Sequence, residues 1–164
     1  MSAESTTLSQ YNPSAYLAIV WGGLAAGVLD ITAAFINSGL RGRSPMWVLQ
    51  SIASGLFGAD SFKGGLRTAG AGAAIHFLIA FVACAVYVTA SLKFKVLVQR
   101  PVVCGLLYGI TVYLFMYLIV LPLTFHRSFM QPLSAVVTGI IIHMSCVGLP
   151  ISLASGWYLK CRGE

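Results

Sequence analysis

Four runs of this chain, residues 15–39, 69–92, 101–124 and 134–159, are apolar over about 24 residues or more. A helix rises about 1.5 Å per residue and a bilayer's hydrocarbon core is about 30 Å thick, so roughly 20 apolar residues cross it. Each run meets that length. Soluble domains are about 25% charged; this one is 9% charged, 58% hydrophobic and has a mean hydropathy of +0.87 over 164 residues. The expected fold is all-α: a polytopic membrane protein with four transmembrane helices in one domain, residues 15–160. The first fourteen residues are mostly polar and hold no Lys or Arg. A secretory signal needs a basic segment before its apolar core, so the first run reads as an uncleaved span behind a disordered tail, residues 1–14.

The first loop, RGRSPMWVLQSIASGLFGADSFKGG, is too long for a simple turn between spans. Ser44 suits a helix cap and Pro45 a first helical position. Met46, Leu49, Ala53 and Leu56 then recur at helical spacing, joined by Ile52 and Phe57, while Gln50, Ser51 and Ser54 fall on another side with Trp47. A helix over 45–58 is too short to cross the bilayer. It is expected to lie in the interface as a lid over the bundle, or to re-enter the membrane and line a pathway.

The charged residues gather outside the apolar runs. The net charge of +6 would suggest nucleic acid in a soluble chain. Here the basic residues sit in loops and tail without interleaved aromatics, so they read as topology signals and lipid contacts, with the bilayer as partner and no nucleic acid. Lys93, Lys95, Arg100, Lys160 and Arg162 fall on the side of the termini and second loop; Arg41, Arg43, Lys63, Arg67 and Arg127 fall on the other. The count ties at five each. The short basic second loop, KFKVLVQR, tips the expectation to cytoplasmic termini. Cys84, Cys104, Cys146 and Cys161 form no CxxC and read as unpaired.

Two halves of the chain share a pattern. The second run has G-x-x-I-H from Gly72 to His76 and the fourth has it from Gly139 to His143, each with a Lys seventeen residues after the His. The first run holds Gly23 and Gly27, the third Gly105 and Gly109, both spaced GxxxG. The glycine pairs are offset by 82 residues and the histidines by 67, a difference about equal to the extra helix. This implies a 2+2 parallel pseudo-repeat about an axis along the membrane normal. The glycines are expected to allow close helix packing, within the bundle or across a homo-oligomer.

Ionisable residues inside a membrane need partners or a function. Asp30 lies nine residues before Gly39, His76 eight after Thr68 and His143 eight after Ala135. Each is then about 12–14 Å below the face carrying the first and third loops, which forms a layer of one carboxylate and two imidazoles. Three readings stay open: a structural cluster with Asp30 accepting hydrogen bonds from the histidines, a proton or ion relay, and a haem or transition-metal site held by Asp30, His76 and His143. His126 in the third loop is a further candidate ligand. Pro150 frees a carbonyl in the fourth run and permits a kink. Tyr113 and Tyr117 share a helix face. There is no nucleophile beside an orienting base, no phosphate loop and no paired carboxylates, so no enzyme chemistry and no required cofactor are expected.

The runs RSPMWVLQSIASGLFG, AAIHFLIAFVACAVY and IIIHMSCVGLPISL resemble the YagU-like group of uncharacterised four-span bacterial inner-membrane proteins. That resemblance implies a multi-pass protein of the bacterial inner membrane and carries over no activity or functional residue. The function expected is that of a small integral membrane protein, as an accessory subunit of a larger membrane complex or as a proton or ion pathway; the alternative is a haem- or metal-binding membrane subunit.

Overall fold

The computed structural model describes residues 13–125 and 132–160, which form helices and, among themselves, no strand. Four helices are long and apolar enough to cross a membrane: Pro13–Gly39, Gly65–Lys93, Pro101–Thr124 and Leu133–Lys160. These are the first to fourth spans. Residues 13 and 14, expected in the tail, belong to the first span; proline's fixed φ and missing N–H suit a helix start. The rest of the expected tail lies outside the described residues, as do His126, Arg127, Cys161 and Arg162.

The first loop contains the anticipated short helix, Pro45–Phe57. The Ser44 side chain accepts from the Trp47 backbone N–H at 3.2 Å, which satisfies one of the donors a helix start leaves free. Gly58 ends it at φ +64°, where a side chain would be strained. A single 3₁₀ segment, Gly58–Lys63, then leads into the second span. The helix rests on the second span at Gly72, where an added Cβ would collide with the Leu49 carbonyl and lie 3.3 Å from the Ala53 nitrogen. Gln50 anchors the base: it is buried and donates to the Gly65 carbonyl at 3.2 Å and towards Thr68 Oγ1 at 3.5 Å. This corrects the expected face. Leu56 and Phe57 are exposed, while Gln50 is buried with Val48 and Ala53. A satisfied amide can replace an apolar anchor.

The first span packs between the second and fourth, and the third packs on the fourth. The glycine pairs set these distances in two different ways. Cβ atoms added at Gly23 and Gly27 would run into the rings of Phe81 and Phe77, so this pair is a socket for two side chains of the second span. Gly105 instead meets the Ser152 hydroxyl and the Gly148 carbonyl of the fourth span, and Gly109 meets that span's backbone at His143 and Met144. The second and third spans meet through side chains: the Tyr87 and Tyr108 rings are 4.9 Å apart and the Tyr108 hydroxyl donates to the Ala83 carbonyl at 2.7 Å.

Burial is concentrated in two places. Ala15 and Ala18, Cys84, Tyr87 and Val88, and Val147 and Ile151 form a core towards the face of the second loop. The second loop itself holds one helical turn, Val96–Gln99, and its Leu97 carbonyl accepts the Tyr87 hydroxyl at 3.1 Å. Towards the first loop, burial gathers at the seam between the short helix and the second span, at Val48, Gln50, Ala53, Ser61 and Ala69.

Two stretches of π-helix interrupt the long helices, at Met116–Val120 in the third span and His143–Gly148 in the fourth. Each ends two residues before a proline, Pro122 and Pro150. Proline has no N–H and its ring crowds the carbonyl four residues back. The preceding turn widens instead: the Leu121 N–H reaches the Met116 carbonyl and the Leu149 N–H the Met144 carbonyl, five residues back in each case. The kink anticipated at Pro150 therefore takes the form of a π turn, a common local adjustment in spans and a frequent mark of functional sites.

Candidate functional site

Asp30, His76 and His143 come from three different spans and line one cavity of about 120 Å³. Its other walls are apolar, including Ile52 of the short helix, Ile79, Ala80 and Ala83 of the second span, Val112 and Met116 of the third, and Val147 of the fourth. The space suits a few water molecules, which need polar partners of this kind.

The imidazoles bond the backbone and not the carboxylate. A carbonyl can only accept, so the ring nitrogens donate. His76 Nε2 donates to the Gly27 carbonyl of the first span at 2.9 Å. His143 Nδ1 donates to the Gly139 carbonyl one turn back at 3.0 Å. Two features of local chemistry favour these partners over Asp30: Gly27 presents a carbonyl with no side chain to shield it, and Gly139 is within reach on the same helix. The expected Asp–His hydrogen bond is not made; among the described residues no protein donor reaches the Asp30 carboxylate. Each imidazole keeps its second nitrogen, Nδ1 of His76 and Nε2 of His143, uncommitted to a carbonyl.

Aromatic rings hold both histidines in place. His76 meets Phe77 edge-on at 5.5 Å, and Phe77 fills the notch at Gly27. His143 meets Tyr113 edge-on at 5.3 Å. Tyr113 in turn stacks on Tyr117 at 5.8 Å with planes 6° apart, and presses on Gly139. His143 is also the first residue of the fourth span's π turn, so Pro150 bears on the backbone that carries it.

A second, larger space of about 980 Å³ lies between the short helix, the second span and the C-terminal half of the third. Ile52, Ile79 and Met116 line both spaces; they form the partition between the cleft and the polar cavity. At the cleft's outer rim the Arg43 guanidinium lies 3.9 Å over the Trp47 ring, and Trp47 is 5.7 Å from Phe62. Ser51 and Ser54 also face it, their hydroxyls donating to the Val48 and Ser51 carbonyls at 2.7 Å each.

Sequence reasoning selected the three polar residues and the glycines. It did not find the cleft, its partition or the π turn at Pro122. The recurrence of Pro at 122 and 150 was the available signal for the paired π turns. As for a metal, the three polar residues share a cavity without closing on a common point: among the described residues no group of three or more His, Cys, Asp or Glu is placed to hold an ion. The site thus offers one carboxylate and two anchored imidazoles around a small polar space, under an apolar cleft. No family model, curated protein or solved structure matches the chain.

Proposed function

We propose that this chain is a small multi-pass membrane protein that carries protons between the cleft and the Asp30–His76–His143 layer. The observation that supports this is the shared wall: the polar cavity and the cleft meet at Ile52, Ile79 and Met116. Ionisable groups inside a membrane are costly, and where they line a cavity they are candidates for an ion or proton path.

The anchoring of the rings suits the task. In each histidine one N–H stays on a backbone carbonyl. A proton taken up on the other nitrogen gives an imidazolium, and loss from that same nitrogen restores the original tautomer. No ring flip is required between protons. Asp30 adds a carboxyl to the same cavity as a third group able to exchange a proton. Beyond the layer the core of Cys84, Tyr87, Val88 and Ile151 closes the way to the second-loop face. Transfer to that face therefore needs a movement, and the π turn from His143 to Gly148 is the segment with slack to supply it.

In this reading the short helix lies in the interface over the cleft, and the two helix pairs are a 2+2 pseudo-repeat. Gly27 and Gly109 support the repeat, since each lies against the histidine of the span that follows in its half. We place the protein in a bacterial inner membrane with both termini cytoplasmic, as the YagU-like resemblance and the basic second loop suggest. The cleft then opens towards the periplasm. Cysteines introduced at Lys95 and Ala59 test the orientation; labelling of position 95 from outside overturns it.

Proteoliposomes enclosing a pH dye, with a potassium gradient and valinomycin to drive proton entry, test the transport. Wild type is expected to acidify faster than protein-free vesicles, and Asp30→Asn to fall to their rate while retaining its thermal stability. Wild-type flux no greater than that of empty vesicles refutes the pathway. A second reading, that the layer only joins helices, has one observation in its favour: the His76–Gly27 hydrogen bond ties the second span to the first. It predicts that His76→Phe lowers stability and that no variant changes flux.

A further inference from the structure

The cleft has features of a binding site that the proton pathway does not use. Its volume, about 980 Å³, is at the upper end for small-molecule pockets. Ile75, Ile79, Val120 and Leu121 make its deep walls hydrocarbon. Among the described residues its one charged lining residue is Arg43, at the outer rim just beyond the end of the first span. Among the described residues the single ion pair is Lys63–Asp60, 3.2 Å apart, so Arg43 has no carboxylate partner there and the nearby Asp60 is taken by Lys63. The Trp47 ring holds the guanidinium from one face and leaves its N–H edge for an anion. Arg fits phosphate in a bidentate way that an ammonium does not, and Trp suits headgroup depth.

We propose that the cleft binds one anionic phospholipid, with an acyl chain between the short helix and the second and third spans and the phosphate on Arg43. Charge complementarity selects this occupant: an apolar slot with the Arg43 guanidinium at its rim matches a hydrocarbon chain with an anionic head. A bound chain also covers the partition at Ile52, Ile79 and Met116, so occupancy would control access to the polar cavity. The binding itself does not depend on that cavity carrying protons.

Trp47 reports on the site directly. The full-length protein with Trp21→Phe and Trp157→Phe, in phosphatidylcholine nanodiscs, keeps it as the sole tryptophan. Brominated phosphatidylglycerol, phosphatidylcholine and free fatty acid are each introduced as quencher. Saturable quenching by brominated phosphatidylglycerol is expected at mole fractions where brominated phosphatidylcholine quenches only in proportion to its amount. Arg43→Gln should weaken it about tenfold, the loss of one charge-assisted contact, while Arg41→Gln, two residues away and outside the cleft, leaves it unchanged. Ser54→Phe, which fills the slot and keeps Arg43, should abolish saturation. Equal quenching by both phospholipids, indifference to Arg43→Gln, or saturation by the fatty acid alone overturns the proposal.

Discussion

Replacing Gly109 by Ala adds one methyl group where the third and fourth spans touch. The new Cβ would lie 2.6 Å from Met144 Cα and 2.8 Å from the His143 carbonyl carbon. Ordinary contact begins at 3.4 Å, so against Met144 Cα alone the backbones must separate by 3.4 − 2.6 = 0.8 Å. Neither neighbour can rotate away, because both are main chain. Overpacking of this kind costs about 1–3 kcal/mol. Better helix propensity returns at most about 1 kcal/mol. The net expectation is a fall of several degrees in the Tm of the purified protein in nanodiscs. Gly70→Ala is the control, since nothing lies within 4 Å of its added Cβ; its Tm should stay level or rise. Gly23→Ala should fall between them, because it meets the Phe81 ring, which can swing aside. Equal Tm values for Gly109→Ala and Gly70→Ala would refute the view that direct backbone contact sets the third–fourth spacing.

Other expectations follow from single features. Gln50→Leu removes the amide that ties the short helix to the Gly65 carbonyl, which keeps the Thr68 hydroxyl at 3.2 Å, and loosens the short helix by about 1 kcal/mol; hydrogen exchange should quicken over residues 45–57 and not in the core around Tyr87 and Ile151. Pro150→Ala restores an N–H that can reach the Cys146 carbonyl, so the π turn should anneal to α-helix, with a raised Tm and an altered proton flux if His143 is displaced. Lys63→Gln breaks an ion pair whose side chains are 83% and 86% exposed, and Tm should not change measurably, because such pairs contribute little.

The four spans and the short helix were legible in the sequence because their causes are local. Length and apolarity decide whether a helix can cross a bilayer, and Ser44, Pro45 and Gly58 carry the start and stop chemistry of the short helix within a few residues. The common depth of Asp30, His76 and His143 followed from helix rise alone, since a rigid rod converts residue count into distance. The rotation of each helix about its axis was not readable in the same way. Lipid and protein interior are both apolar, so hydropathy hardly marks which face turns inward. On the short helix Leu56 and Phe57 are exposed and Gln50 is buried, the reverse of what hydropathy alone implies.

What tertiary structure alone decided is how the polar groups are partnered and what surrounds them. His143 bonds Gly139 within its own helix, but His76 reaches the Gly27 carbonyl only once the first and second spans are docked, and docking depends on glycines, Phe77, Phe81 and Tyr113 from different parts of the chain. The second and third spans meet through Tyr87 and Tyr108 near the second loop, and nearer the first loop the cleft lies between them, walled by the short helix. Sequence determined that three polar residues lie at one depth in the membrane; packing between distant segments made them the walls of one cavity beneath a cleft.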